Sequence, residues 1–527
     1  MSASSKKKLR KELESAKLTE RQQTAQREAK KLNLYTTLFV VVMVAILVVA
    51  IVVGVKQTIT TKGILEKKTV AATVGGHEID SVEMNYFYMD AVNNFYSQYG
   101  SYASMFGLDT TLPLNEQVVD ESTGLTWADD FLSSAKETAK NVYAMKDAAD
   151  AAGYTLSAEE LTTIEESIAS LDLYAAMYGF ANADSYLKSF YGNGSDVKSY
   201  TEYTKLTALA QSYYSHYAQE LTYDAAALDA AEAENPAAFS SYSYNTYYLA
   251  TSKFDDAAAA EETAKALTGA EIDSVEALDA AIAALPINEG TEAKSTAYTD
   301  NLYNSVSGVY VDWLSDSSRK EGDISYFASE STSAEGETTV NGYYVVYYIG
   351  SNDNIFPLVN VRHILVTPSH EHAEGETHEE GETYSAEELA AAKATAEEIL
   401  KEWKSGAATE ESFAELANAK SADGDGTTGG LYENVYPGQM VVNFNDWCFD
   451  DARVPGETGI VESDYGYHVM YYVGDSETTY RDYQIDKQLR SNDLNAWYSE
   501  ILSSTTITDG DTKYIKMDLV LTPNSEN

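Results

Sequence analysis

The chain has 527 residues, with 36 Lys or Arg against 83 Asp or Glu, a formal charge of −47 at neutral pH. So acidic a surface repels a nucleic-acid backbone and excludes nucleic acid as a partner for the bulk of the molecule. The length exceeds what one hydrophobic core usually serves and predicts several domains. The single cysteine, Cys448 between Trp447 and Phe449, excludes an intrachain disulfide and reads as a buried small hydrophobe.

Residues 1–33 reverse the charge, with ten Lys/Arg against four Asp/Glu, so that +6 lies there and −53 on the rest. They precede LYTTLFVVVMVAILVVAIVVGV, residues 34–55, an uncharged run long enough as a helix to cross a hydrocarbon core of ~30 Å. The run is longer than a signal-peptide core and no small-x-small cleavage site closes it before Lys56, which favours an anchor over a cleaved signal. Cations ahead of the span keep the N-terminus cytoplasmic and send 56–527 outside. The expected localisation is therefore the cell membrane, single-pass, with the bulk of the chain extracytoplasmic and the membrane as a partner through 34–55.

The exported part opens on a strand-like VAATVGGHEI (70–79) and then reads as helices to about residue 232. One helix stops at Gly153 and Ser157-Ala-Glu-Glu160 has the form of a capping box. Aromatic residues recur through this block, among them Tyr86, Phe87, Tyr174, Tyr178, Tyr186, Tyr213 and Tyr217. They suit a packed core, or an amphipathic cradle for unfolded peptide, since tyrosine joins apolar area to a polar edge.

After Glu234-Asn-Pro236 the texture changes to FSSYSYNTYYLATSKF, a strand pattern, followed by two Ala-rich helices, DWLSDSSRKEGDISYF and the strand GYYVVYYIG (342–350). The order then repeats, ending on GYHVMYYVG (466–474). Tyr247 falls against His363 at an offset of 116, Trp313 against Trp447 at 134, and Tyr344 against His468 at 124. These landmarks predict two tandem copies of one fold, with an insertion around 330–339 in the first. A last amphipathic helix, about 478–503, is too small to be a domain and is expected to dock on the N-terminal helices.

In the second copy VRHILV, Ser421-Ala-Asp423, Gly429-Gly430, Gly438-Gln-Met440-x3-Phe444, Gly459-Ile460 and Gly466-Tyr-His468 follow one another over about 115 residues. This series resembles the parvulin-type peptidyl-prolyl cis/trans isomerases, and the wider layout resembles their exported foldases and the periplasmic survival chaperone. The resemblance implies an α+β chain: a single N-terminal transmembrane helix, an all-α chaperone-like domain, and two parvulin-like modules, each a central antiparallel sheet flanked by helices. The C-terminal helix packs back on the helical domain. The boundaries expected are 69–232 for the helical domain, 237–351 for a degenerate parvulin-like domain, 357–475 for the isomerase domain and 476–527 for the C-terminal helix and tail.

The resemblance also implies catalytic roles for His363, Asp423, Ser463 and His468 and a proline pocket from Leu431, Met440 and Phe444, with no cofactor and no metal. The implied partners are unfolded or partly folded secreted polypeptides with X–Pro bonds; the alternative is a holdase-type chaperone with little isomerase activity. The family's GGDLG reads GGLYENV in this chain, and no basic cluster follows VRHILV, which argues against a phosphate-directed preference. The loop there, 369–383, holds His370, His372 and His378 among six glutamates in no closed zinc spacing and reads as a solvated insertion. In the first copy Tyr247 and Tyr344 stand against the two histidines, and Val306 and Tyr310 against Met440 and Phe444. The polar network is expected to be lost there while the scaffold is kept.

Overall fold

A computed structural model of the chain describes residues 3–11, 13, 38, 41–56, 59, 61–269, 272–333, 336–369, 384–424, 426–450 and 452–521. Among these no helix is long and apolar enough to cross a membrane. The span expected at 34–55 falls partly on 34–37, 39 and 40, outside the described residues; 41–56 are helical, with Ile46, Leu47 and Val49 exposed. Most of 1–33 and of the His/Glu loop 369–383 also lies outside the described residues. The architecture is mixed α+β with antiparallel sheets, in two compact units: Met1–Leu221 with Asp493–Asn527, and Thr222–Asn492.

In the first unit the expected strand at 70–79 is a hairpin, β1 (Val70–Val74) and β2 (His77–Asp80), which turns on Gly75 and Gly76. The strand Ile507–Asp509 completes this sheet on the free edge of β1, with Ala72 opposite Asp509 and Val74 opposite Ile507. A second small hairpin joins β3 (Val118–Asp120) to β4 (Leu125–Thr126). Side-chain caps start the helices where the sequence offers them. Asp80 accepts from the Val82 and Glu83 amides ahead of Ser81–Tyr99, and Thr126 and Ser157 form capping boxes for Trp127–Ala152 and Ala158–Met177. The helical reading to 232 is interrupted, because Val197–Glu220 ends before Asp224 caps a new helix, Ala225–Glu234.

Aromatic residues divide by position. Tyr86, Phe87, Trp127, Phe131 and Tyr203 build the core, whereas Tyr174 and Tyr178 are exposed. The end of the last helix, Tyr480–Ser504, packs Trp497, Tyr498 and Ile501 against Met145, Ala149, Ala210 and Tyr213, and Trp497 stacks on Tyr217 at 3.8 Å.

The second unit holds two four-stranded antiparallel sheets. One is made of β5 (Ser241–Ala250), β6 (Thr296–Leu302), β7 (Ile324–Thr332) and β8 (Thr338–Asn352). The other has β9 (Pro357–Val366), β10 (Leu431–Val435), β11 (Thr458–Ser463) and β12 (Gly466–Thr479). Their spatial orders, β6-β5-β8-β7 and β10-β9-β12-β11, are the same path traced twice. The residues expected as an insertion lie at the β7–β8 hairpin, paired out to Thr332 and Thr338.

Each sheet is covered on both faces. In the second, Ile364, Val366, Tyr467 and Val469 pack on Trp403 of the helix Ala386–Ser405 and Phe413 of the helix Glu410–Lys420. Phe413 is fully buried, a burial that contributes roughly 2–3 kcal/mol. The other face puts Val361, Met470 and Tyr472 against Phe444 and Cys448 of the short helix Val442–Cys448. The first sheet repeats this, with Leu249, Tyr343 and Val345 on the helices Ala257–Gly269 and Val275–Ala283, and Tyr244, Val346 and Tyr348 toward Val311–Leu314.

Arg481 joins the strands of chain that lead into, between and out of these sheets. Nearly buried, it donates to Glu232 Oε1 (2.6 Å), the Pro236 carbonyl (2.7 Å) and the Asp353 carbonyl (2.9 Å), while its amide donates to the Asn354 carbonyl (2.9 Å).

Candidate active site

Strand alternation decides which residues of the second sheet meet. On β9, Val361 and His363 point to the Phe444 side and Ile364 and Val366 to the other. On β12, which is hydrogen-bonded to β9, His468 and Met470 share that first side, and Met470 lies directly opposite His363. The two imidazoles are thus brought together on one surface of the sheet, their Nδ1 atoms 3.1 Å apart, and both are buried. His363 Nε2 lies 3.0 Å from Asp423 Oδ2, and Ser463 Oγ lies 2.7 Å from His468 Nε2.

The proton positions follow from the Asp423 end of this row. A carboxylate only accepts, so His363 carries its proton on Nε2 and donates to Asp423; its Nδ1 then accepts from the Nδ1–H of His468, whose Nε2 accepts the Ser463 hydroxyl proton. The Tyr465 amide donates to Ser463 Oγ (3.2 Å). Both histidines are neutral in this arrangement. Burial lowers the pKa of His363, opposed by the nearby Asp423 carboxylate, and burial with the adjoining His363 lowers that of His468 to about 4.

The loop carrying Asp423 is tied to β9 through Ser421, whose Oγ accepts from the amides of Leu365 and Asp423, each at 3.1 Å. Gly430 brings the next segment in: its carbonyl accepts from the His363 amide (2.9 Å), at φ +66, and a Cβ there would stand 2.2 Å from the His363 carbonyl oxygen. The Gly429-Gly430 pair of the motif is thus a close-approach device.

The apolar wall beside the imidazoles is Phe444, whose ring meets those of His363 and His468 edge-on, both at 5.4 Å. Met440 joins the same cluster from the turn before Val442–Cys448, so it shares the pocket without sharing a helical face with Phe444. Leu431 does not join them. It is opposite Arg362 on β9, hence on the face that carries Ile364, while the next residue, Tyr432, is opposite Val361 and faces the pocket. Tyr432 was missed in the sequence, and its hydroxyl donates to Asp423 Oδ2 at 2.9 Å. Cys448 is buried beneath, its thiol pushed up to about 12 by burial, an inert core residue as expected.

The first sheet corrects the alignment of the two copies by one residue. Thr246 is opposite Val346 as His363 is opposite Met470, and it is Thr246 that occupies the His363 position. Tyr247 faces the helices instead, exchanging hydrogen bonds with Asn288 (Asn288 Nδ2 to the hydroxyl, 2.8 Å). Tyr344 does stand at the His468 position; its ring lies 4.7 Å from Tyr248 and 5.5 Å from Tyr310, the counterpart of Phe444. A tyrosine cluster fills the space that the imidazole pair fills in the second sheet.

Residues 344–474 match the family model of the PPIC-type PPIASE domain. A sheet carrying paired, neutral, hydrogen-bonded histidines over an aromatic pocket, within that match, is a parvulin-type peptidyl-prolyl cis/trans isomerase domain, and this chain contains one. Among solved structures, peptidylprolyl isomerase (PrsA) from Bacillus cereus aligns at 25% identity over 28% of this chain and 49% of its own, with a TM-score of 0.18. PrsA from Bacillus subtilis aligns at 16% identity over 72% and 86%, TM-score 0.25. A Campylobacter jejuni structure of the SurA-like chaperones PEB4 and Cj1289 aligns at 13% over 54% and 82%, TM-score 0.15. The chain spans 49% and 59% of the Bacillus cereus and Bacillus anthracis PrsA structures. No curated protein matches it.

Proposed function

We propose that this chain is a membrane-tethered foldase: a peptidyl-prolyl cis/trans isomerase that acts on secreted polypeptides at the outer face of the membrane. The observation that carries the reading is the Ser463–His468–His363–Asp423 row beside Phe444. Rotation about X–Pro faces a barrier of roughly 18–20 kcal/mol from amide resonance and requires no covalent chemistry. A site lowers it by binding the twisted amide better than the planar one. Phe444 and Met440 supply an apolar seat for the pyrrolidine ring, and the neutral histidines and Ser463 hold polar hydrogens in fixed directions where charge redistributes on twisting. Burial makes such fixed dipoles count for more than in water.

The basic N-terminus and the uncharged run 34–55 support an anchor with the catalytic domain outside. In the helical unit a groove of about 720 Å³, lined by Met145, Tyr203, Tyr214 and Tyr498 with Asn94 and Gln211, suits loose holding of extended peptide. The test is proline-limited refolding of a model substrate by the purified full chain, with His468→Ala and Phe444→Ala beside it. Acceleration that both substitutions abolish is the expected result. Suppressed aggregation without acceleration would leave a holdase.

A further inference from the structure

The Nδ1···Nδ1 contact between His363 and His468 is symmetric, so either ring could be the donor. The Ser463 end does not settle the direction, because a hydroxyl donates or accepts as required. Only Asp423 imposes one, and its side chain is 39% exposed, open to rotation and to exchange of its imidazole bond for water. Tyr432 meets that weak point. Its hydroxyl donates to the Oδ2 atom that takes the His363 proton, and its ring lies 5.0 Å from the imidazole, tilted by 58°. Burial and the adjoining carboxylate raise the phenol to about 12, so it keeps its proton throughout the neutral range.

We propose that Tyr432 is a positioning residue of this site: by holding Asp423 it fixes the proton of His363 on Nε2, and through the Nδ1 pair it sets the tautomer of His468 and the direction of the Ser463 hydroxyl. The effect on rate rests on the isomerase reading; the tautomer statement stands on geometry alone. The side chain arises from the departure GGLYENV, where the resemblance implied an aliphatic wall from Leu431.

The experiment uses the full chain with ¹⁵N-labelled histidine and long-range ¹H–¹⁵N correlation at pH 7, the two rings being assigned by loss of signal in His363→Gln and His468→Gln. The wild type is expected to show His363 as the Nε2–H and His468 as the Nδ1–H tautomer. Tyr432→Phe, which keeps the ring and removes the donor, is expected to give mixed tautomers at both rings and kcat reduced about tenfold with KM within about twofold. Single wild-type tautomers in Tyr432→Phe overturn the proposal. A second measurement covers a variant that folds poorly: in Asp423→Ala the tautomers are already mixed and adding Tyr432→Phe changes nothing, whereas additive effects overturn the proposal as well. A wild-type chain with ordered tautomers and no isomerase activity would sink the functional reading and leave the positioning role standing.

Discussion

Thr246 of the first sheet and His363 of the second hold corresponding places in two sheets of like strand order, each opposite the residue that packs on the short helix beyond the sheet. With Tyr344 at the His468 position, the first copy has neither imidazole, and the polar groups of its cluster are phenol hydroxyls, that of Tyr244 accepting from Asn301 Nδ2 at 2.9 Å.

All isomerase activity is therefore expected from the second copy. In the full chain His468→Ala should reduce kcat/KM by about 100-fold or more, the scale for losing one preorganised polar group that stabilises the transition state. A residual rate within tenfold of wild type in proline-limited refolding would assign catalysis to the Thr246 face.

The site was legible in the sequence to the extent that its chemistry uses rare residues. His363 and His468 are two of 7 histidines, Asp423, Met440 and Phe444 sit in a spaced motif, and Ser463 followed from the resemblance; the structure brings all six together. The errors at Leu431 and Tyr247 share one cause. Period-2 alternation reveals a strand's faces only when one face is polar. In YNTYYLAT and GGLYENV the neighbours are both large and both half-buried or buried, so a shift of one residue costs nothing in pattern and exchanges the faces completely. The succession of strands and helices along the chain was legible because glycines, the Ser157 cap and aromatic landmarks mark their ends.

The neutral histidine pair makes the second copy acid-sensitive. In the unfolded chain His468 titrates near its ordinary 6.5, in the folded chain near about 4, and His363 is also lowered. Between those values the unfolded state binds more protons, so the stabilisation is fully present above about 6.5 and is lost as pH falls through the folded value. Denaturant midpoints of the wild type are expected to fall more between pH 7 and pH 4.5 than those of His468→Gln, and isomerase activity to hold down to about pH 5 before falling. Equal slopes for the two proteins would contradict the neutral pair.

Gly430→Ala is expected to destabilise the second copy by about 3 kcal/mol, because the new Cβ meets the His363 carbonyl and the residue sits at positive φ. Since β10 must move away from β9, Tyr432 and Asp423 move with it. Calorimetry resolving the two copies should show one transition lowered and isomerase activity lost at lower temperature.

Arg481→Met removes one guanidinium from Glu232 and from the carbonyls of Pro236 and Asp353. A loss of roughly 3 kcal/mol is expected from an ion left without its partner. Limited proteolysis reads it locally, as faster cutting near Asp353–Pro357 with the sheets themselves still protected; unchanged cutting would show the joint to be dispensable.

The pairing of Val74 with Ile507 has a kinetic meaning for synthesis. The sheet of the first unit closes only when the last part of the chain is available, after 222–492 has been made. A polypeptide emerging N-terminus first therefore presents its helical host incomplete while both inserted sheets, whose strands all lie within 222–492, already have every strand they need. The isomerase copy is consequently ready before the unit that hosts it, and chains cut short near residue 492 should retain a formed His363–His468 site on an unfinished host.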